Sequence, residues 1–245
     1  MASAVLRAYV QGGNLFTGLP REMLAFFAAL RFNNNRAFFE ENRAIYERFV
    51  RRPLLELAEA LAPVVREIDP DVDVRPQRAV SRIYRDLRFR RDKTPYREYM
   101  WIGFRHPGES REETCGFYFD VSADEANWGC GYYHMQAEFM QNLRARIVTQ
   151  SRRVERIVTD PAFAAEFSLM GPAYQRQHAP PPGLCAPLAE LYRKKTVYAE
   201  HHVTDFERLF SPALADDIAS GFRTLAPFYA LLRECMVRTG KETKL

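Results

Sequence analysis

The residues best equipped for chemistry crowd into one stretch. RIYRDLRFRRDKTPYR, residues 82–97, carries seven Arg or Lys side chains and only two carboxylates, Asp86 and Asp92. Arg82, Arg85, Arg88 and Arg97 offer forked donors and Lys93 a point charge, the groups from which phosphate and carboxylate oxygens accept hydrogen bonds. Tyr84, Phe89 and Tyr96 are interleaved with them and supply rings on which a base or a guanidinium stacks. Asp86 and Asp92 either orient those guanidiniums, serve as acid–base groups, or bind a Mg²⁺ brought in with a phosphate. Two carboxylates cannot neutralise seven cations, so the surplus is solvated or matched by a partner. The competing reading is a structural salt-bridge network in which the aspartates fix an irregular loop and Phe89 plugs the core.

The basic character is local. The chain of 245 residues has a net charge of +4, but residues 75–97 alone carry +7, leaving −3 for the rest. Thirty of the 35 basic residues are Arg; a GC-rich genome accounts for such a choice, but not for its clustering. The pI of 8.9 is below the usual footprint of a nucleic-acid-binding domain. Four scattered cysteines (Cys115, Cys130, Cys185, Cys235) form no CxxC pair, which favours a reducing, cytoplasmic setting. The opening MASAVLRAYVQGG lacks a signal-peptide core, and no run of about 18 apolar residues spans a membrane. Cys130 and His134 are four apart, too far along a strand to share a metal, and His201 and His202 face opposite sides of theirs, so no protein-built metal site and no resident cofactor are expected. Nor does any GxSxG, HExxH or Walker loop appear.

The elements that must position the basic stretch begin with helices. GLPREMLAFFAALRFNNN starts near Pro20 and stops at the Asn run, one member of which caps NRAFFEENRAIYERFVRR. In that second helix Phe38, Phe39, Ile45, Tyr46 and Phe49 are expected to face inward, and Asn42 to hydrogen-bond a neighbouring turn. A third helix runs from Pro53 through Ile68. The period then drops to two: AVSRIYR, EYMWIGFRH, CGFYFDVS and NWGCGYYHM read as strands, the last three as an antiparallel meander. MQAEFMQNLRARIVTQ returns to helix and places Arg144 beside Met140 and Leu143, where it snorkels, meets an acidic partner such as Asp86, Asp92 or Asp120, or touches ligand. A short helix around RRVERIV, a strand near 168–178, a helix from Leu184 to Arg193, the strand TVYAEHHV and a closing helix from about Ser211 complete the chain. The fold class is α+β: a single domain over 19–238, a mainly antiparallel sheet covered by helices, with a helical N-terminal segment and a long C-terminal helix, flanked by an extension at 1–18 and a tail at 239–245.

NNNRAFFEENRAIYE, RIYRDLRFRRDKTPYR, GFYFDVS…NWGCGYYHM…LRARI and LYRKKTVYAEHHV, in this order, resemble the bacterial and fungal family catalogued as domain of unknown function 2461, over roughly residues 19–235. The matching positions are Asn34, Phe39, Asn42, Arg82, Arg85, Asp86, Arg88, Phe89, Asp92, Lys93, Pro95, Tyr96, Arg144, Gly183 and Lys195. Phe38 departs from the usual Trp, and Arg90 from a small hydroxyl residue. The resemblance implies one domain over most of the chain and supplies no reaction.

The residues and the resemblance together set three expectations. The first is a small phosphate- or carboxylate-bearing ligand bound by Arg82, Arg85, Arg88, Lys93, Tyr96, Arg97 and Arg144, with catalysis left open. The second is nucleic acid, with phosphates on the loop and bases on its rings. The third is a scaffold or interaction protein whose basic loop is structural.

Overall fold

The computed structural model of the chain describes residues 16–88, 92–109, 114–132, 137–175 and 177–236. Helix α1 (Arg21–Phe32) opens behind Pro20, and α2 (Arg36–Glu41) starts at Asn35, whose Oδ1 accepts from Phe38 N at 3.0 Å. One wide turn of π-helix, Glu47–Arg51, joins α3 (Arg43–Tyr46) to α4 (Arg52–Ile68). That extra-wide turn shifts the phase of the residues after it. Of the face expected inside, Phe39 and Tyr46 are buried, Phe38 and Phe49 half-buried, and Ile45 is 41% exposed, with Val50 buried in addition. Asn42 donates to Phe38 O at 2.9 Å within its own helix, not to another turn.

After α5 (Pro76–Ala79), the stretch expected as a first strand makes only isolated antiparallel bridges, Val80 with Ile102 and Tyr84 with Tyr96. The sheet proper consists of β1 (Tyr99–Gly103), β2 (Cys115–Ser122), β3 (Ala126–Tyr132), β4 (Ser168–Met170) and β5 (Val197–His202), in the order β1-β2-β3-β5-β4. β1 pairs antiparallel with β2, Ile102 opposite Phe119, and β4 with β5, Leu169 opposite Ala199. In β2 the alternation is clean: Cys115, Phe117, Phe119 and Val121 are buried, Tyr118 and Asp120 half-buried. The remaining helices are α6 (Ala137–Thr149), α7 (Ser151–Val158), α8 (Pro161–Glu166), α9 (Ala186–Arg193) and the long α10 (Ala213–Cys235), which runs through Pro227. Asp160 caps α8 by accepting from Ala162 N and Phe163 N. The fold is α+β with an antiparallel sheet. Among the described residues no helix is long and apolar enough to cross a membrane.

The chain divides into two compact units, each assembled from three separate stretches. The first comprises the described parts of 1–107, 117–128 and 201–223; its core includes Phe39, Leu57, Ile102, Phe119 and Phe222, with Phe117 and Phe222 rings 4.7 Å apart. The second comprises the described parts of 108–116, 129–200 and 224–245, around Leu143, Ile147, Leu191, Val197 and Phe228.

Candidate functional site

The basic loop belongs to the first unit. Its two arms are stitched by Arg85 N to Pro95 O (2.9 Å) and Arg97 N to Ile83 O (2.8 Å). Thr94 precedes Pro95 and is thereby biased to extended backbone. Asn34 docks the loop: its Nδ2 donates to Tyr96 O at 3.0 Å, and its Oδ1 accepts from Tyr96 N at 3.1 Å. A side-chain amide thus completes the backbone pairing of a residue that has no strand beside it. The Tyr96 ring stacks on Phe39 at 4.2 Å, and Tyr84, half exposed, closes the cluster 5.4 Å from Tyr96.

The loop's cations find their acceptors mostly within the loop. Arg85, only 16% exposed, donates to Asp92 Oδ2 at 2.6 Å and to Thr94 Oγ1 at 2.7 Å. Asp92 also accepts from Thr94 N, and this bond, with the Thr94 hydroxyl and Arg85, holds its carboxyl below the usual range. Arg88 pairs with Asp86 at 2.6 Å. Arg97 donates to two carbonyls, Arg82 O (2.7 Å) and Tyr84 O (2.6 Å), while its guanidinium lies 5.0 Å from the Trp101 ring. Lys93 Nζ donates to Leu87 O at 3.1 Å. Arg82 is exposed. Asp86 and Asp92 therefore neutralise Arg88 and Arg85, and carbonyl oxygens accept from Arg97 and Lys93. Phe89, expected to plug the core, and the cations Arg90 and Arg91 lie outside the described residues.

Arg144 belongs to the second unit, on the buried stripe of α6 with Phe139, Met140, Leu143 and Ile147. It is 7% exposed. None of the three aspartates offered by the sequence is its partner. Nε donates to Tyr192 O (2.9 Å) and Nη2 to Lys194 O (2.8 Å), at the C-terminal end of α9, where the helix dipole favours a cation. The physical reason is reach: those carbonyls, left without helical N–H partners, lie where the side chain ends. Burial lowers the Arg144 pKa from its ordinary value, and the rings of Tyr174 and Tyr192 stand 5.9 and 5.8 Å from its guanidinium carbon.

Beside Arg144 opens a cleft of about 160 Å³, lined by Ala137, Met140, Gln141, Arg144, Tyr174, His178 and Lys195. Backbone pairing sets its far wall: Lys195 N donates to Pro172 O (2.7 Å) and Tyr174 N to Arg193 O (2.8 Å). Of the adjacent lysines, Lys194 is buried and bonds Glu190 at 3.0 Å and Leu169 O, whereas Lys195 is exposed and rests its ammonium 4.9 Å from the Tyr174 ring. His178, at φ +57°, faces the same ring at 4.8 Å. Sequence reasoning had singled out Arg144 and Lys195 but not Tyr174, His178 or Gln141; a charge inside an apolar stripe was the only signal for this cleft.

A second arrangement in the first unit also escaped the sequence. Asn127, 8% exposed, donates to Asp120 Oδ1 at 3.1 Å and pairs through Oδ1 with His202 Nδ1 at 2.8 Å. Two of the cysteines are held as thiols: burial raises the Cys130 thiol well above its ordinary value and the Cys235 thiol to about 11. Among the described residues no group of three or more His, Cys, Asp or Glu side chains is placed to hold a metal.

No curated protein matches this chain. The family model described as Conserved hypothetical protein (DUF2461) matches residues 22–230, which takes in α1, the docked basic loop, the sheet and both cations of the cleft. The chain belongs to that family.

Proposed function

We propose that this protein binds a small anionic ligand, bearing phosphate or carboxylate, in the Arg144 cleft. One observation carries the reading. Arg144 is buried, and among the described residues its acceptors are backbone carbonyls and none is a carboxylate. A buried charge without a counter-ion is costly, and an entering anion removes that cost. Of the five guanidinium N–H donors two are spent on the carbonyls. What remains, at Nη1 and Nη2, suits paired oxygens. The basic loop enters this reading as the scaffold of its own unit, since its aspartates and carbonyls already engage Arg85, Arg88, Lys93 and Arg97.

The test is thermal stabilisation by inorganic phosphate, acetate and a short oligonucleotide, on the unaltered chain and on Lys195→Met and Arg82→Ala. A ligand at a hundred times its Kd adds about 2.7 kcal/mol, a rise in Tm of several degrees for a chain of this size. Saturable stabilisation by a small anion, weakened in Lys195→Met and unchanged in Arg82→Ala, supports the cleft. The reverse pattern moves the seat to the loop. Binding of the oligonucleotide alone, falling steeply with salt, replaces the reading with nucleic-acid recognition.

A further inference from the structure

We infer that the ligand of this cleft is a small phosphomonoester, a dianion with a short apolar stem; the inference rests on the anion-binding reading above and goes further in naming charge, size and shape. Charge comes first. Arg144 and Lys195 are held on a single ring, their charged atoms 5.9 and 4.9 Å from the Tyr174 centroid. A ring quadrupole attracts each cation but does not screen one from the other. The one carboxylate bonded nearby, Glu190, is taken by Lys194. Two like charges, neither of them paired with a carboxylate among the described residues, fit a dianion better than a monocarboxylate, which would leave one of them unmatched.

Size comes next. A volume of about 160 Å³ lies below the ~300–1,000 Å³ typical of sites for drug-sized ligands. What the cleft itself encloses is therefore small, on the scale of a phosphoryl group with a stem of a few atoms. The wall chemistry agrees, because Ala137, Met140 and the Tyr174 ring offer apolar surface to the stem while Gln141 and His178 leave hydrogen-bonding groups at the rim. The guanidinium edge not used by Tyr192 O and Lys194 O is a two-donor fork, and the exposed Lys195 ammonium, 4.9 Å from the Tyr174 ring, supplies the second charge.

The experiment is calorimetric titration of the full chain with three probes of similar size: ethyl phosphate, a dianion at pH 8; diethyl phosphate, a monoanion; and propionate. The expected result is saturable binding of ethyl phosphate on the order of tenfold or more tighter than either monoanion, the gap one added charge makes in a partly screened site. In Lys195→Met that preference shrinks towards unity, while weak binding of all three persists through Arg144. Arg144→Lys, which keeps the charge but loses the fork, weakens all three together. Equal affinity for the three probes overturns the dianion assignment and leaves the anion site standing. Absence of binding by every probe overturns both, as does binding that neither substitution alters.

Discussion

Asn34→Ala tests how the basic loop is held. In the folded chain the Asn34 amide makes both backbone hydrogen bonds of Tyr96, at 3.0 and 3.1 Å, and Tyr96 is only 3% exposed. Alanine removes two bonds worth about 1 kcal/mol each and leaves a buried N–H and C=O without partners, each at a cost of about 1–3 kcal/mol if water does not reach them. The expected loss is about 2–4 kcal/mol, a fall in Tm of roughly 5–15 °C at this chain length. Asn34→Asp sharpens the test. It keeps an acceptor for Tyr96 N, but turns a negative oxygen towards Tyr96 O and Glu98 Oε1, which now accept from Nδ2 at 3.0 and 3.3 Å. Aspartate should therefore cost at least as much as alanine at pH 7, although it is nearly isosteric. Urea denaturation followed by circular dichroism gives the magnitude, and exchange of the Tyr96 amide proton gives the location, because its protection should fall more than that of Ile102 in β1. A loss below 0.5 kcal/mol for alanine, or a near-neutral aspartate, would mean that the loop is not docked through this amide.

Three further expectations concern other parts of the molecule. A Cβ added at Gly131 would land on the Cβ and Cα of Tyr198 and 2.9 Å from Val197 O, so Gly131→Ala should cost more than ~3 kcal/mol or prevent folding; an unchanged denaturation midpoint would refute the close approach of β3 to β5. Asp73 is held down to about 2 by its hydrogen bond with Arg75, so its contribution is present above the ordinary carboxyl pKa and is lost as pH falls through about 2; Arg75→Ala should make stability fall less steeply over that acid window, and an unaltered acid limb would count against the pair. Because Asp120 only accepts, the Asn127 amide must turn its oxygen to His202, and neutral His202 must carry its proton on Nδ1 with Nε2 bare; nitrogen-15 NMR of the imidazole reads this directly, and a proton found on Nε2 would break the relay.

The fold was legible wherever one strong periodicity met one clear punctuation mark. α10 follows from a long apolar stripe, and β2 from strict alternation bounded by loops. Asn35 was readable as a cap because few residue types satisfy the first N–H groups of a helix. Legibility failed where a local irregularity changes the count. Ile45 fits the apolar spacing yet is 41% exposed, and the π-turn at Glu47–Arg51 adds a residue to the helical count that no residue type marks. AVSRIYR has the composition of a strand but makes only bridges, because its hydrogen bonds go to single residues of β1 and to the far arm of the loop.

The site was half legible for a more general reason. Counting charges along the chain assumes that a cation needs an anion or water, and on that assumption the surplus of residues 82–97 was solvated or matched by a partner. A guanidinium has two separate requirements, however: acceptors for its N–H groups and a counter-charge. Carbonyl oxygens meet the first without meeting the second, and they are invisible in a sequence because every residue has one. Lys93 shows the benign case, with a carbonyl acceptor at an exposed position where water screens the charge. Arg144 has the same kind of acceptors at 7% exposure, where screening is weak. On the proposed reading the charge that matters is therefore Arg144, buried in α6, and not the conspicuous cluster, and burial, which the sequence hints at only through an Arg placed on an apolar stripe, is what separates it from the described cations of the loop.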